Sequence, residues 1–215
     1  MARPEYIDIS SRNRLFENTL ADPNNGIRDH ALLRLMFGTF LRPIEIIRLK
    51  TAFFVDSNGR VFSNPDYVLT DDTSFNGKER PMPISNAVLI DALQRWVDFR
   101  IEKKWGVTST GFIDLDTALF MSKRNTPFSI STTYNESSVK HNCESLNRVL
   151  RKRMKINGIT GSIESAARTL TLDIHRNGGS TKALRELRGD ASIETTKTII
   201  EKDPVRLSAL VENAF

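Results

Sequence analysis

Few side chains in this sequence can do covalent or metal chemistry. The single cysteine, Cys143, has no second thiol to pair with and no base beside it between Asn142 and Glu144, so it reads as a buried or incidental thiol. His30, His141 and His175 are too scattered to form a ligand set at zinc spacing, and neither a metal nor a cofactor is expected. His175 taken alone is a packing or surface histidine. What the chain does offer is a dense cationic run, Asn147-Arg148-Val149-Leu150-Arg151-Lys152-Arg153-Met154-Lys155. Its charges fall on more than one face of a helix, with Val149, Leu150 and Met154 between them. Two readings fit it: a solvated helix, or a surface that meets the phosphate backbone of a nucleic acid.

Composition sets the frame for these residues. With 215 residues, 39% of them hydrophobic and 27% charged, the chain has the balance of a globular protein with one compact domain. The formal net charge is +5, and it is unevenly placed: residues 1–144 hold 18 basic and 18 acidic residues, whereas residues 145–215 hold 13 and 8. A basic C-terminal third is implied. No run approaches the roughly 20 apolar residues of a bilayer span, and Met1-Ala2-Arg3-Pro4-Glu5-Tyr6 lacks the order of a signal peptide, so a cytoplasmic protein without membrane contact is expected.

The elements that must position the chemistry follow from periodicity. Apolar spacing predicts helices over Ser10–Leu20 and Ile27–Phe40, separated by the turn Asp22-Pro23-Asn24-Asn25-Gly26, and a short helix from Pro43 to Leu49. The period then changes. Thr51–Val55, Arg60–Phe62, Tyr67–Leu69 and Arg80–Ile84, broken by turn residues that include Asn76-Gly77, predict a small antiparallel sheet. Helices are predicted again over Ala87–Lys104, Ser138–Lys155, Ser162–Asn177, Thr181–Arg188 and Ile193–Glu201, with a loop-rich connection from Val107 to Pro127. Val205–Phe215 is amphipathic and reads either as a last core helix or as a tail that docks on another subunit. The class is mainly α with a small antiparallel β-sheet.

Motif order carries the reading further. Arg28-Asp29-His30-Ala31-Leu32-Leu33, then Phe37-Gly38-Thr39-Phe40-Leu41-Arg42-Pro43-Ile44-Glu45, then Gly77-Lys78-Glu79-Arg80-Pro81-Met82-Pro83-Ile84 resemble the tyrosine recombinase (phage integrase) catalytic domain. Leu119-Phe120-Met121-Ser122, Ala167-Arg168-Thr169-Leu170 with Gly178-Gly179, and Leu187-Arg188-Gly189-Asp190-Ala191-Ser192-Ile193-Glu194-Thr195-Thr196 continue the family order. The resemblance implies three stretches: an N-terminal extension over 1–24, in place of the family's helical DNA clamp, a recombinase-like domain over 25–202, and a C-terminal helix over 203–215.

The family's enzymes attack a DNA phosphodiester with a tyrosine hydroxyl, stabilise the charged phosphorane with two arginines and His or Trp donors, and protonate the leaving oxygen with a lysine. Carried over residue by residue, the two arginines are Arg42, with Glu45 one turn on, and Arg168. The other positions have changed: Phe75 stands for the lysine, Ser165 and Asp190 for the two donors, and Ile199 for the nucleophile. Within these 215 residues the tyrosines are Tyr6, Tyr67 and Tyr134, and none follows Arg168. The resemblance therefore implies a catalytically inactive relative that binds double-stranded DNA through Arg42, Lys78, Arg80, Arg148, Arg151, Lys152, Arg153 and Arg168, close to the nucleoid. The alternative is an interaction module that assembles with itself or with an active recombinase. Asp190 is expected to form an ion pair with Arg168 or Arg42 inside the altered site.

Overall fold

The computed structural model describes residues 5–135 and 138–204. Helices α1 (Ile9–Leu20), α2 (Gly26–Gly38), α3 (Pro43–Arg48) and α4 (Ala87–Glu102) come first, and α5 (Glu144–Ile156), α6 (Ser165–Arg176), α7 (Thr181–Arg188) and α8 (Ile193–Glu201) close the described chain. Helix α2 is buried on most of its surface, with Ala31, Leu32, Leu33, Leu35 and Met36 inaccessible, because α1, α4, α5 and α6 all pack around it. Its start is tight: a side chain at Gly26 would place Cβ 2.6 Å from the Thr19 carbonyl oxygen at the end of α1. Residues 5–24, set apart as an extension by the sequence reading, share this core through Ile7, Leu15 and Phe16.

The N-terminal segment is tied down by hydrogen bonds as well. The amides of Glu5 and Ile7 donate to the hydroxyls of Ser165 (2.9 Å) and Thr169 (3.0 Å) on α6, and the Tyr6 hydroxyl donates to Asp173 (3.1 Å). At the opposite end of α4, Trp96 stacks on Phe99 and Phe120, Trp105 meets Phe99 edge-on, and the Trp96 indole donates to the Leu119 carbonyl at 2.8 Å. A second, smaller cluster of Phe40, Leu184 and Ile200, with Ala167, Leu170, Ile174 and Leu187 against it, joins α6, α7 and α8.

The β-structure is sparser than the periodicity predicts. Strands β1 (Val68–Leu69) and β2 (Arg80–Pro81) form a two-residue antiparallel ladder, flanked by the isolated bridges Val55–Val61 and Asn64–Ile84. Thr51–Val55 is not a strand. Thr51–Phe53 forms a single 3-10 turn because the Thr51 and Ala52 amides donate to the carbonyls of Thr117 and Leu115, both at 2.9 Å. The predicted helix over Ser138–Lys155 begins later, at Glu144. The residues before it form β4 (Ser138–Asn142), paired antiparallel with β3 (Ser131–Asn135) so that Ser131 faces Asn142. The Ser, Thr and Val content of this hairpin suits a strand better than a helix. The predicted segment Val205–Phe215 lies outside the described residues. No helix among the described residues is long and apolar enough to cross a membrane.

Candidate nucleic-acid interface

Arg42 occupies the N-cap of α3, where Pro43 starts the helix and the Glu45 carboxylate accepts the Arg42 amide at 2.7 Å. Glu45 is fully buried, and it also accepts the Phe75 amide at 3.0 Å and the Arg80 guanidinium at 2.6 Å. One carboxylate thus ties together the start of α3, the turn before β2 and β2 itself. Phe75, at the lysine position of the resemblance, lays its ring 3.4 Å from the Arg42 guanidinium carbon. Its role here is to hold Arg42 from one side. Desolvation by the surrounding walls lowers the Arg42 pKa from its usual value, opposed by the nearby Glu45 and Asp190 carboxylates, and the group stays cationic.

The facing wall comes from α6, α7 and α8. Arg168 extends from α6 and donates to the Lys202 carbonyl at 2.7 Å. Helix α7 ends at Gly189, whose φ of +69° turns the chain so that Arg188 and Asp190 point the same way. They form an ion pair at 2.7 Å, completed by the Thr196 hydroxyl to the same Asp190 oxygen at 2.9 Å and by Arg188 to the Thr171 hydroxyl at 2.7 Å. The expected ion pair of Asp190 therefore exists with a different partner: the αL turn brings Arg188 to it, not Arg42 or Arg168. Sequence reasoning passed over Arg188, although it stands inside the quoted motif two residues before Asp190.

Between the walls lies an open cleft of about 340 Å³, lined by Arg42, Arg168, Arg188, Asp190, Glu164 and Ile199 among others. It brings together Arg42, Arg168, Asp190 and Ile199 of the residues drawn from the resemblance. Ser165 is left out: it is fully buried and spends its hydroxyl on the Glu5 and Ser162 amides. His175 also stands apart, paired through its ring with the Gly179 carbonyl at 3.3 Å. Cys143 is buried, which raises its thiol pKa. Among the described residues no group of His, Cys, Asp and Glu has the makings of a metal site.

Two of the expected phosphate contacts are spent inside the protein. Arg80 is buried against Glu45, and Arg153 is buried between Asp22 (2.6 Å) and Asp29 (2.7 Å), so neither lies on an accessible surface. Arg148, Arg151 and Lys152 do lie exposed on the outer side of α5, with Arg151 held by Glu144 at 2.7 Å, and Lys78 is exposed on the turn before β2.

The fold that sets an arginine at the head of α3 opposite a second on α6 has counterparts among solved proteins. The chain superposes on XerA recombinase with a TM-score of 0.68 and 22% identity over its full length, covering 66% of that protein. The fold is that of a tyrosine recombinase catalytic domain. It is similar also to XerH site-specific recombinase bound to palindromic difH substrate, with a TM-score of 0.64, 15% identity, and coverage of 97% of this chain and 52% of that one. In sequence the chain is 26% identical over 215 residues to tyrosine recombinase XerC of Escherichia coli O127:H6 (strain E2348/69 / EPEC), across 98% of this chain. It spans 60% of the length of that relative. No protein-family model matches the chain. This tyrosine-recombinase-like fold places Arg42 and Arg168 on the walls of one cleft, with Arg188, Asp190 and Ile199 beside them.

Proposed function

We propose that this chain binds duplex DNA without cutting it, as an accessory or regulatory factor in DNA recombination or mobile-element biology. The observation that carries the reading is Ile199, which lines the cleft beside Arg42 and Arg168 where the resemblance calls for a tyrosine hydroxyl. An alkyl side chain has no atom that can attack phosphorus, and Phe75 can give no proton to a leaving oxygen. DNA binding is supported by the cations that remain accessible, Arg42, Arg168, Lys78, Arg148, Arg151 and Lys152, and by the DNA-bound state of XerH, a neighbour in fold.

The test is a titration against a labelled mixed-sequence duplex at about 50 mM and about 200 mM salt. With about four phosphate contacts, affinity is expected to fall roughly a hundredfold between the two. Absence of binding at the lower salt overturns the DNA reading. A covalent adduct on a nicked duplex overturns the inactivity.

A further inference from the structure

An asparagine followed by glycine is open to attack on its side chain by the next backbone nitrogen, because glycine has no Cβ to hinder the ring that closes. The chain holds five such pairs: Asn25-Gly26, Asn58-Gly59, Asn76-Gly77, Asn157-Gly158 and Asn177-Gly178. Four of the glycine amides are already engaged. Gly26 donates to the Asp22 carbonyl (2.9 Å), Gly59 to Asp56 (3.0 Å), Gly158 to Lys155 (3.1 Å) and Gly178 to His175 (3.0 Å). An amide held in this way must give up its hydrogen bond before its nitrogen can turn on a neighbouring carbonyl carbon. The Gly77 amide, by contrast, donates to no group among the described residues. Asn76 and Gly77 are both exposed, and a side chain at Gly77 would meet nothing within 4 Å. The Asn76 side chain is polarised as well. Its Oδ1 accepts the hydroxyl of the buried Ser74 at 2.8 Å and the Lys78 amide at 3.2 Å, two donors on the oxygen that gains negative charge when a nucleophile adds to Cγ. Its Nδ2 donates to the Gly189 carbonyl at 3.2 Å and so joins the turn before β2 to the α7–α8 junction.

From the one free amide and the two donors we infer that Asn76-Gly77 is a site of spontaneous deamidation, and that the conversion releases the turn before β2 from the α7–α8 junction. The Gly77 nitrogen bonds to Cγ of Asn76, the Cγ–Nδ2 bond breaks, and the Gly77 proton leaves with Nδ2 as ammonia. One water then opens the cyclic imide. Cleavage at Cγ gives aspartate; cleavage at the backbone carbonyl gives isoaspartate, with the main chain rerouted through the former side chain. Either product is a carboxylate, which accepts hydrogen bonds and cannot donate them. The bond to the Gly189 carbonyl is therefore lost in both, and oxygen faces oxygen in its place. A negative charge also appears two residues from the exposed Lys78.

The test is to age the full chain in mildly alkaline buffer and map its peptides by mass spectrometry, with aspartate and isoaspartate separated by chromatography. Position 76 is expected to convert about tenfold faster than the other four pairs, the scale of one hydrogen bond broken before attack. Both products should appear, and Ser74→Ala, which removes one donor to Oδ1, should slow their formation. Equal or faster conversion at another Asn-Gly pair overturns the proposal, as does aspartate at position 76 without isoaspartate, since direct hydrolysis alone would give that. Asn76→Asp carries the product's charge from the start. It is expected to raise amide hydrogen exchange over residues 75–79 and 189–192 relative to wild type, and equal exchange there overturns the release. Neither readout involves DNA, so the duplex titration above can fail while this site stands, and the reverse.

Discussion

Ile199 can be replaced by tyrosine to ask how much of the cleft is still equipped for chemistry. On the proposed reading, Ile199→Tyr is expected to form no covalent adduct on a nicked duplex, because the residues that the resemblance sets at the lysine and donor positions, Phe75, Ser165 and Asp190, would leave the leaving group and the phosphorane without their donors, and such constellations act as a unit. A denaturing gel that showed a protein–DNA band would mean that Arg42 and Arg168 suffice. A second residue makes a prediction about acid. His30 is buried, and desolvation, with the Arg34 charge adding to it, pulls its pKa from 6.5 down to about 4, while its Nε2 accepts a hydrogen bond from Arg34 at 3.1 Å. The unfolded chain therefore takes up a proton below about pH 6.5 that the folded chain refuses until about pH 4. Stability falls as pH falls through that window, by an amount on the order of 3 kcal/mol. Urea denaturation across that range should show this slope in the wild type and lose most of it in His30→Leu.

Helix α5 divides its charges between two duties, and the division can be measured. Arg153 faces inward between Asp22 and Asp29, and Arg153→Ala is expected to cost about 3 kcal/mol by leaving the buried Asp29 and the half-buried Asp22 under-paired. Arg148, Arg151 and Lys152 face outward; changing all three to alanine should alter stability by less than about 1 kcal/mol while lowering the salt slope of DNA binding by up to about 3. If the triple variant binds DNA as the wild type does, α5 is a solvated helix. The alternation of Val149, Leu150 and Met154 with the cations made the helix legible from sequence, but which cation turned inward was not. That depended on Asp22 and Asp29, more than 120 residues away. The same limit explains other misreadings. Thr51–Val55 has β-branched residues in strand order, yet its amides are claimed by Leu115 and Thr117. Ser138–Asn142 has only Lys140 as a strong helix former, and pairing with Ser131–Asn135 decided it for a strand. By contrast the αL turn at Gly189 is local, and the Arg188–Asp190 pair across it could have been anticipated from Arg-Gly-Asp alone.

At the scale of the molecule, the cleft lies where two apolar clusters of unequal size meet. Arg42 follows α2 and the large core, whereas Arg188 on α7, Asp190 in the turn after it and Ile199 on α8 are held by the small cluster around Leu184 and Ile200. Fewer buried contacts mean a smaller free energy of local opening. Amide hydrogen exchange should therefore reach α7 and α8 well before α2 and α4; uniform protection across the four helices would show that the clusters open together. Such opening would separate Arg42 from the opposite wall without unfolding the rest, so occupancy of the cleft is expected to slow exchange in α7 and α8 most.

The aromatic stack at the end of α4 bears on how these events can be seen. Both tryptophans of the chain, Trp96 and Trp105, sit in it with Phe99 and Phe120, and the cleft contains neither. Intrinsic fluorescence consequently reports the larger core alone. A thermal melt followed at tryptophan wavelengths will look like one clean transition even when the α7–α8 half has already parted, and ligand entry at the cleft will leave the emission spectrum unmoved. A tryptophan introduced at Ile199 would give that half its own optical signal.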